Sequence, residues 1–233
     1  MINNIRTNSF KSLNIPLILT IAFFLFSFVE VFAEFKMYVK LQWITKPFLI
    51  PILITLYLFT SQKKSSLYLI ALGFNWLANM LFISMQRDYL ILASICFLIH
   101  RLFIIIKIFK DERSLGFFPI ILGSVPFLFL FLSLINLVYD NINESEFLLI
   151  SCQVILMSLF GGFSLANYSI KYTFPSKFLL ISSLFFGINV FILGVKFYYI
   201  DFTFLKPLSM IFFILGQYVF YYFMILNEKK QIF

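Results

Sequence analysis

Eight apolar runs of about 20 residues occupy nearly the whole chain, and only short polar segments separate them. A run of this length can cross the hydrocarbon core of a bilayer as an α-helix. The mean hydropathy of +0.99, with 62% hydrophobic and 12% charged residues, excludes a soluble globular fold. We therefore expect an all-α, polytopic membrane helix bundle of about eight transmembrane helices, forming a single integral membrane domain over residues 1–233. The predicted spans are roughly 13–33, 43–60, 67–85, 89–109, 117–139, 146–168, 177–198 and 204–226.

The basic residues favour a topology in which both termini are cytoplasmic. With the N-terminus placed there, eleven lysines and arginines lie on the cytoplasmic side and five on the other, as the positive-inside rule requires. The eleven are Arg6, Lys11, Lys63, Lys64, Lys107, Lys110, Arg113, Lys171, Lys177, Lys229 and Lys230, and the five are Lys36, Lys40, Arg87, Lys196 and Lys206. The net charge of +8 is then charge at a membrane surface, so we expect the lipid bilayer and no nucleic acid as a partner. The expected location is the bacterial cytoplasmic (inner) membrane.

The first apolar run has two interpretations. Arg6 and Lys11 followed by apolar residues up to Ala33 are typical of a signal peptide. The length of the run and the carboxylate of Glu30 beside the cleavage position favour a retained transmembrane span instead.

A metal ion or cofactor is not expected. Cys96 and Cys152 lie within apolar runs without Cys-x-x-Cys spacing, and the chain has one histidine. These residues provide too few ligands for a zinc site.

Several polar side chains interrupt the apolar runs, where an unpaired polar group costs several kcal/mol. They are Lys46, Asn75, Asn79, His100, Arg101, Asn189 and Gln217. Such residues either join helices through hydrogen bonds or line a polar cavity. If their helices pack together, all of them except Arg101 meet between the midplane and the outer leaflet. Arg101 follows His100 directly and is expected to point to a different helix face.

The order and spacing of these residues resemble a known family. Thr45-Lys46-Pro47 opens the second span, Gly73-Phe74-Asn75-Trp76-Leu77-Ala78-Asn79 lies on the third, and Ile99-His100-Arg101 on the fourth. Gly187-Ile188-Asn189 and Gln217 follow on the last two spans. From about Lys46 onward, the chain resembles the YhhN-like lysoplasmalogenase family of eight-span membrane proteins.

The resemblance implies hydrolysis of the vinyl-ether bond of lysoplasmalogens to an aldehyde and a glycerophospho-alcohol. It implies catalytic positions at Asn79, His100 and Asn189, and contacts to the lysophospholipid substrate at Lys46, Asn75 and Gln217. This chain departs from the family pattern, because the family carries aspartates where Asn79 and Asn189 stand. An amide can orient water but cannot transfer a proton at useful pH.

Two functions therefore remain open. The first is a hydrolase in which His100 alone, or Glu30 from the first span, supplies the proton transfer. The second is a non-catalytic membrane protein that binds a lipid or another amphiphile in the same pocket. A carboxylate that reaches His100 would favour the hydrolase, and a pocket lined only by amides would favour binding.

Overall fold

The computed structural model describes residues 14–112 and 115–232, with side chains up to Lys229. This part of the chain forms eight α-helices and one 3-10 turn, and it contains no strand. The helices are α1 (Ile15–Phe35), α2 (Val39–Thr60), α3 (Ser66–Leu81), α4 (Arg87–Asp111), α5 (Phe117–Val138), α6 (Glu144–Lys171), α7 (Phe174–Tyr198) and α8 (Leu205–Ile232). The predicted all-α membrane bundle is confirmed, since seven of these helices are long and apolar enough to cross a membrane.

The remaining helix, α3, is shorter than the predicted span 67–85. Its 16 residues extend roughly 24 Å at about 1.5 Å per residue, against a hydrocarbon core of about 30 Å. The helix ends at Leu81, and Met85 then takes a left-handed backbone conformation with φ 54° before α4 begins. Residues 82–85 stay mostly apolar, so hydropathy does not reveal where the helix ends.

Local signals define the beginnings of two other helices. A capping box at Asn143 and Glu146 begins α6, and another at Thr173 and Ser176 begins α7. Tyr172, at φ 48°, ends α6 and allows the chain to reverse directly into α7. These reversals make consecutive helices antiparallel neighbours.

The helices pack mainly as four consecutive hairpins, and α8 also contacts α1 and α2. This closure brings the end of α1 beside the beginning of α8. Both lie at the end of the bundle that the topology prediction places outside. The orientation itself stays a prediction, and Arg6, Lys11 and Arg113, on which it partly depends, lie outside the described residues.

A close backbone contact joins α5 to α6. A Cβ on Gly162 would lie 2.5 Å from the backbone nitrogen of Ser124, and a Cβ on Gly123 would lie 2.6 Å from the Gly162 carbonyl oxygen. Glycine is needed on both sides because the two backbones touch.

The surface of the bundle is apolar, as lipid contact requires. Phe28, Phe118 and Phe129 are each more than 70% exposed, whereas the interior is filled by rings such as Phe131 and Phe163. The protein is an integral membrane protein whose outward side chains face the bilayer.

Candidate functional site

Three adjoining cavities lie inside the bundle, and Phe97 and Asn189 line all of them. The central cavity, about 110 Å³, also contacts Arg101 and Gln153. The His100 cavity, about 20 Å³, is lined by His100, Arg101, Asn189 and Gln217 among aromatic rings. The Glu34 cavity, about 40 Å³, is lined by Glu34, Asn79, Asn189, Lys206 and Ser209 with apolar neighbours. The three cavities share wall residues and together make up the polar space, in which a few polar side chains stand among mostly apolar ones.

Five of the polar residues singled out from the sequence line this space: Asn79, His100, Arg101, Asn189 and Gln217. Asn75 lies behind it, fully buried, where its Oδ1 and carbonyl oxygen accept hydrogen bonds from Asn79 Nδ2 at 3.2 and 2.8 Å. These bonds hold the Asn79 amide on the wall of the Glu34 cavity. The catalytic and binding roles of these residues stay predictions.

His100 is fixed by the backbone of α3. Its Nδ1 lies 2.8 Å from the carbonyl oxygen of Ala71. A carbonyl only accepts, so Nδ1 carries the hydrogen and Nε2 is the nitrogen left for the cavity. This contact comes from the backbone rather than from a carboxylate.

Glu30, whose approach to His100 would have favoured the hydrolase, has different partners. It accepts a hydrogen bond from Thr45 Oγ1, and its Oε1 lies 3.5 Å from Lys46 Nζ. Lys46 therefore faces carboxylates of α1, and its implied contact with the lysophospholipid substrate stays a prediction. The carboxylate that reaches the polar space is Glu34, one helical turn further along α1.

Glu34 is the centre of a buried charged cluster. Its Oε1 lies 2.5 Å from Lys46 Nζ and its Oε2 lies 2.7 Å from Lys206 Nζ, while Gln42 donates to it at 3.2 Å. With Glu30, the cluster has two carboxylates and two ammonium groups, so it is neutral overall when all four are ionised. Pairing of this kind is what allows charges to remain inside a membrane bundle.

The sequence interpretation missed Glu34 and Lys206. Glu34 was assigned to the polar break after the first span, and Lys206 to the outer end of the last. A signal was present, since Glu30 and Glu34 are four residues apart and so share one helix face. Two carboxylates on one face of a span require cationic partners.

Asn189 and Gln217 come from the last hairpin. Asn189 Oδ1 accepts a hydrogen bond from Ser209 Oγ at 2.8 Å, which joins α7 to α8. Gln217 is 1% exposed, and neither its amide nitrogen nor its amide oxygen has a partner among the described residues. Its amide is therefore free to bind a molecule in the His100 cavity.

Arg101 also belongs to the site. It lines both the His100 cavity and the central cavity and donates a hydrogen bond to Gln153 Oε1 on α6. Gln153 Nε2 in turn donates to the Ser94 carbonyl oxygen at 3.0 Å. The side chains of consecutive residues in a helix point about 100° apart around its axis. His100 and Arg101 can therefore border the same cavity, and they do.

A larger polar cavity adjoins the central one. It has a volume of about 330 Å³, contacts Arg87 and Glu146, and shares Ser94, Gln153 and Tyr198 with the central cavity. Arg87 pairs with Glu146 at 3.0 Å and its side chain is 59% exposed. This cavity provides a polar approach to the interior.

Taken together, the groups can bind a molecule with one apolar chain and a polar end, and they can transfer protons. The apolar chain of such a ligand would lie among rings such as Phe82 and Phe97. Amides, a guanidinium and the Glu34–Lys206 pair would face its polar end. Proton transfer is available at the Glu34 carboxylate and the His100 imidazole.

The model of the YhhN family matches residues 41–222. The match includes Asn79, His100, Asn189 and Gln217, and α1 with Glu30 and Glu34 precedes it. No curated protein and no solved structure matches the chain. Because the family match spans well over half of the 233 residues, this protein belongs to the YhhN family.

Proposed function

We propose that this protein is a membrane hydrolase that cleaves the vinyl-ether bond of a lysoplasmalogen, as the resemblance to lysoplasmalogenases implies. One observation carries the proposal: the carboxylate of Glu34 lines the same cavity as Asn79 and Asn189. These are the positions where the resemblance implies aspartates. A carboxylate from α1 therefore stands beside the two amides that replace them.

The reaction requires a proton, a water molecule and a base. A proton adds to the vinyl carbon that does not carry oxygen, and the other carbon becomes an oxocarbenium centre. Water adds to that centre and loses a proton, which gives a hemiacetal. The hemiacetal releases the aldehyde as its carbon–oxygen bond breaks, and the leaving glycerophospho-alkoxide takes up the remaining proton. The net change consumes one water.

Glu34 is assigned the first proton transfer. Lys46 and Lys206 hold their protons within hydrogen-bond distance of its two oxygens, so a proton from either can pass through Glu34 to the substrate. The carboxylate left behind is an anion near the oxocarbenium centre, which it stabilises in the low-dielectric interior.

His100 is assigned the role of accepting a proton from the attacking water. The His100 cavity of about 20 Å³ has room for a water molecule, and the unpartnered amide of Gln217 lines it. His100 Nε2 can accept the proton that this water loses, because Nδ1 is held as a donor by Ala71.

The test is aldehyde release from a lysoplasmenyl-ethanolamine lipid by the purified protein in nanodiscs. Removing a positioned general acid costs about a hundredfold or more in rate, so Glu34→Gln should lose at least that much. Glu34→Asp keeps a carboxylate and should retain part of the rate. Lys177→Gln, which removes an exposed charge elsewhere, should match the unaltered protein. A Glu34→Gln protein that is folded and fully active would contradict the assignment.

A second candidate is binding without cleavage, and one observation favours it: both oxygens of Glu34 are already engaged by ammonium groups. In that case the same lipid binds saturably but no aldehyde forms. The variant Asn79→Asp/Asn189→Asp then gains activity, because it restores the implied carboxylates. The proposed setting for either function is the bacterial cytoplasmic membrane.

A further inference from the structure

Arg101 is a buried cation without a carboxylate partner. Arg101 is 9% exposed. Its one side-chain hydrogen bond among the described residues goes to the neutral amide of Gln153. The described residues include all ten aspartates and glutamates, and none has a carboxylate oxygen within 4.0 Å of Arg101. A guanidinium has five donors, so most of them remain for another molecule.

A buried charge in a membrane bundle is costly unless an opposite charge accompanies it. The other intramembrane cations follow this rule, since Lys46 and Lys206 are both paired with Glu34. Arg101 differs from them because it faces two cavities rather than a carboxylate. Its position is that of a receptor for an anion that enters the cavity.

A second, independent feature points to the same ligand. Gln217 lines the His100 cavity together with Arg101, is 1% exposed, and has no partner for its amide nitrogen or oxygen. An amide donor beside a guanidinium is a suitable pair for the oxygens of a phosphate or carboxylate. Asn189, on the same wall, uses its Oδ1 to accept from Ser209, which leaves its Nδ2 as a further donor.

The surroundings indicate what carries the anion. The central cavity, which Arg101 also lines, has apolar walls that include Phe82, Leu134 and Val190. An inorganic ion would leave these walls without a partner, whereas an alkyl chain would cover them. The ligand therefore combines an anionic end with a single apolar chain.

We propose that Arg101 anchors an anion subsite that binds the phosphate or carboxylate of a single-chain amphiphile, with Gln217 as a second contact. The inference rests on the proposed function for its choice of a lysophospholipid as the natural ligand. It assigns the phosphate of that substrate to Arg101, whereas Lys46, the cationic substrate contact that the resemblance implies, is occupied by Glu30 and Glu34.

The experiment compares three probes of one chain length in uncharged detergent: 1-oleoyl-lysophosphatidate, oleate and uncharged monoolein. Binding is followed by isothermal titration calorimetry. The unaltered protein should bind at least one anionic probe about tenfold or more tightly than monoolein. Arg101→Gln should lose this preference and bind monoolein as before. Lys177→Gln, at an exposed position, should keep the preference.

The probe that binds more tightly identifies phosphate or carboxylate as the natural anion. Equal affinities for all three probes in the unaltered protein, or an anion preference that survives in folded Arg101→Gln, would overturn the subsite. If Arg101→Gln does not fold, Arg101→Met decides, because it removes the charge and leaves an apolar side chain of similar length in the bundle. An unchanged anion affinity in that variant would also overturn the subsite.

The binding experiment is separate from the test of hydrolysis. Anion preference without aldehyde release leaves the subsite standing and removes the hydrolase. Aldehyde release without anion preference leaves the hydrolase standing and removes the subsite.

Discussion

Lys206 Nζ lies 2.7 Å from Glu34 Oε2, and this ion pair joins the beginning of α8 to the end of α1. Both residues line the Glu34 cavity, so the contact that closes the bundle is also part of the candidate site. Lys46 holds the other oxygen of the same carboxylate. The structure and the proposed chemistry therefore depend on one side chain.

Removing the Glu34 charge should destabilise the bundle. Glu34→Gln leaves the buried Lys46 paired with Glu30 alone and the partly buried Lys206 without its carboxylate, and breaking a buried pair on one side costs about 3–5 kcal/mol. Denaturant unfolding in mixed micelles measures the loss. Glu34→Gln/Lys206→Gln should lose less than the sum of the single variants, because the partners are coupled.

The matched control is the ion pair between Lys196 and Asp201, whose aspartate side chain is 84% exposed. Asp201→Asn, which removes the exposed partner, should change stability by about 0–1 kcal/mol, as for other surface pairs. Equal losses in the buried and the exposed variants would show that the cluster contributes nothing specific.

Alanine should have opposite effects at two helical glycines. In Gly162→Ala, the new methyl group meets the backbone of Ser124, which cannot move aside as a flexible side chain can. The expected cost is about 1–3 kcal/mol. Gly73, on α3, has no atom within 4 Å of such a methyl group, so Gly73→Ala should gain about 0.4–1 kcal/mol from helix propensity. Thermal unfolding of the two variants side by side measures both, and a stabilised Gly162→Ala protein contradicts the close contact.

The predicted cytoplasmic end of the bundle has its own buried carboxylate, Glu228. It accepts hydrogen bonds from Tyr57 Oη at 2.7 Å and Ser61 Oγ at 2.8 Å, which join α8 to α2. Glu228→Ala leaves the buried Tyr57 hydroxyl without this partner and should cost about 1–3 kcal/mol. Asp140→Ala, at an exposed position, should change stability by less than about 0.5 kcal/mol. Thermal unfolding that ranks the two variants in the reverse order would rule out this role for Glu228.

The choice of substitution can separate the structural contribution of His100 from its proposed catalytic one. His100→Asn can place an amide N–H where Nδ1 donates to Ala71, but it has no group that accepts the proton from water. We expect aldehyde release to fall by about a hundredfold or more while the unfolding temperature stays close to that of the unaltered protein. His100→Ala should lower both the rate of aldehyde release and the unfolding temperature. Full activity in His100→Asn would assign the histidine to packing alone.

The sequence predicts part of this site because polar residues within apolar runs are conspicuous. Asn79, His100, Asn189 and Gln217 were found in this way, and they do line one polar space. Glu34 and Lys206 were missed for a physical reason. Polar residues are ordinary near the ends of membrane spans, and nothing local indicates that α8 closes against α1.

The same reasoning explains two smaller differences. Hydropathy follows composition rather than backbone angles, so it placed the end of the third span at Met85 instead of Leu81. The partner of Arg101, Gln153, lies on a helix two elements away, and no sequence spacing connects the two residues. Contacts between distant helices are what the folded bundle adds.

The most direct measurement of the central claim is the mass of the fatty aldehyde released from a lysoplasmenyl lipid in D₂O, with rapid trapping of the product. Protonation of the vinyl carbon at the Glu34 site predicts an aldehyde with a single deuterium on the carbon next to the carbonyl. Release should fall by about a hundredfold or more in folded Glu34→Gln protein. No aldehyde from the unaltered protein, or an aldehyde without deuterium, would contradict vinyl-ether hydrolysis by this chain.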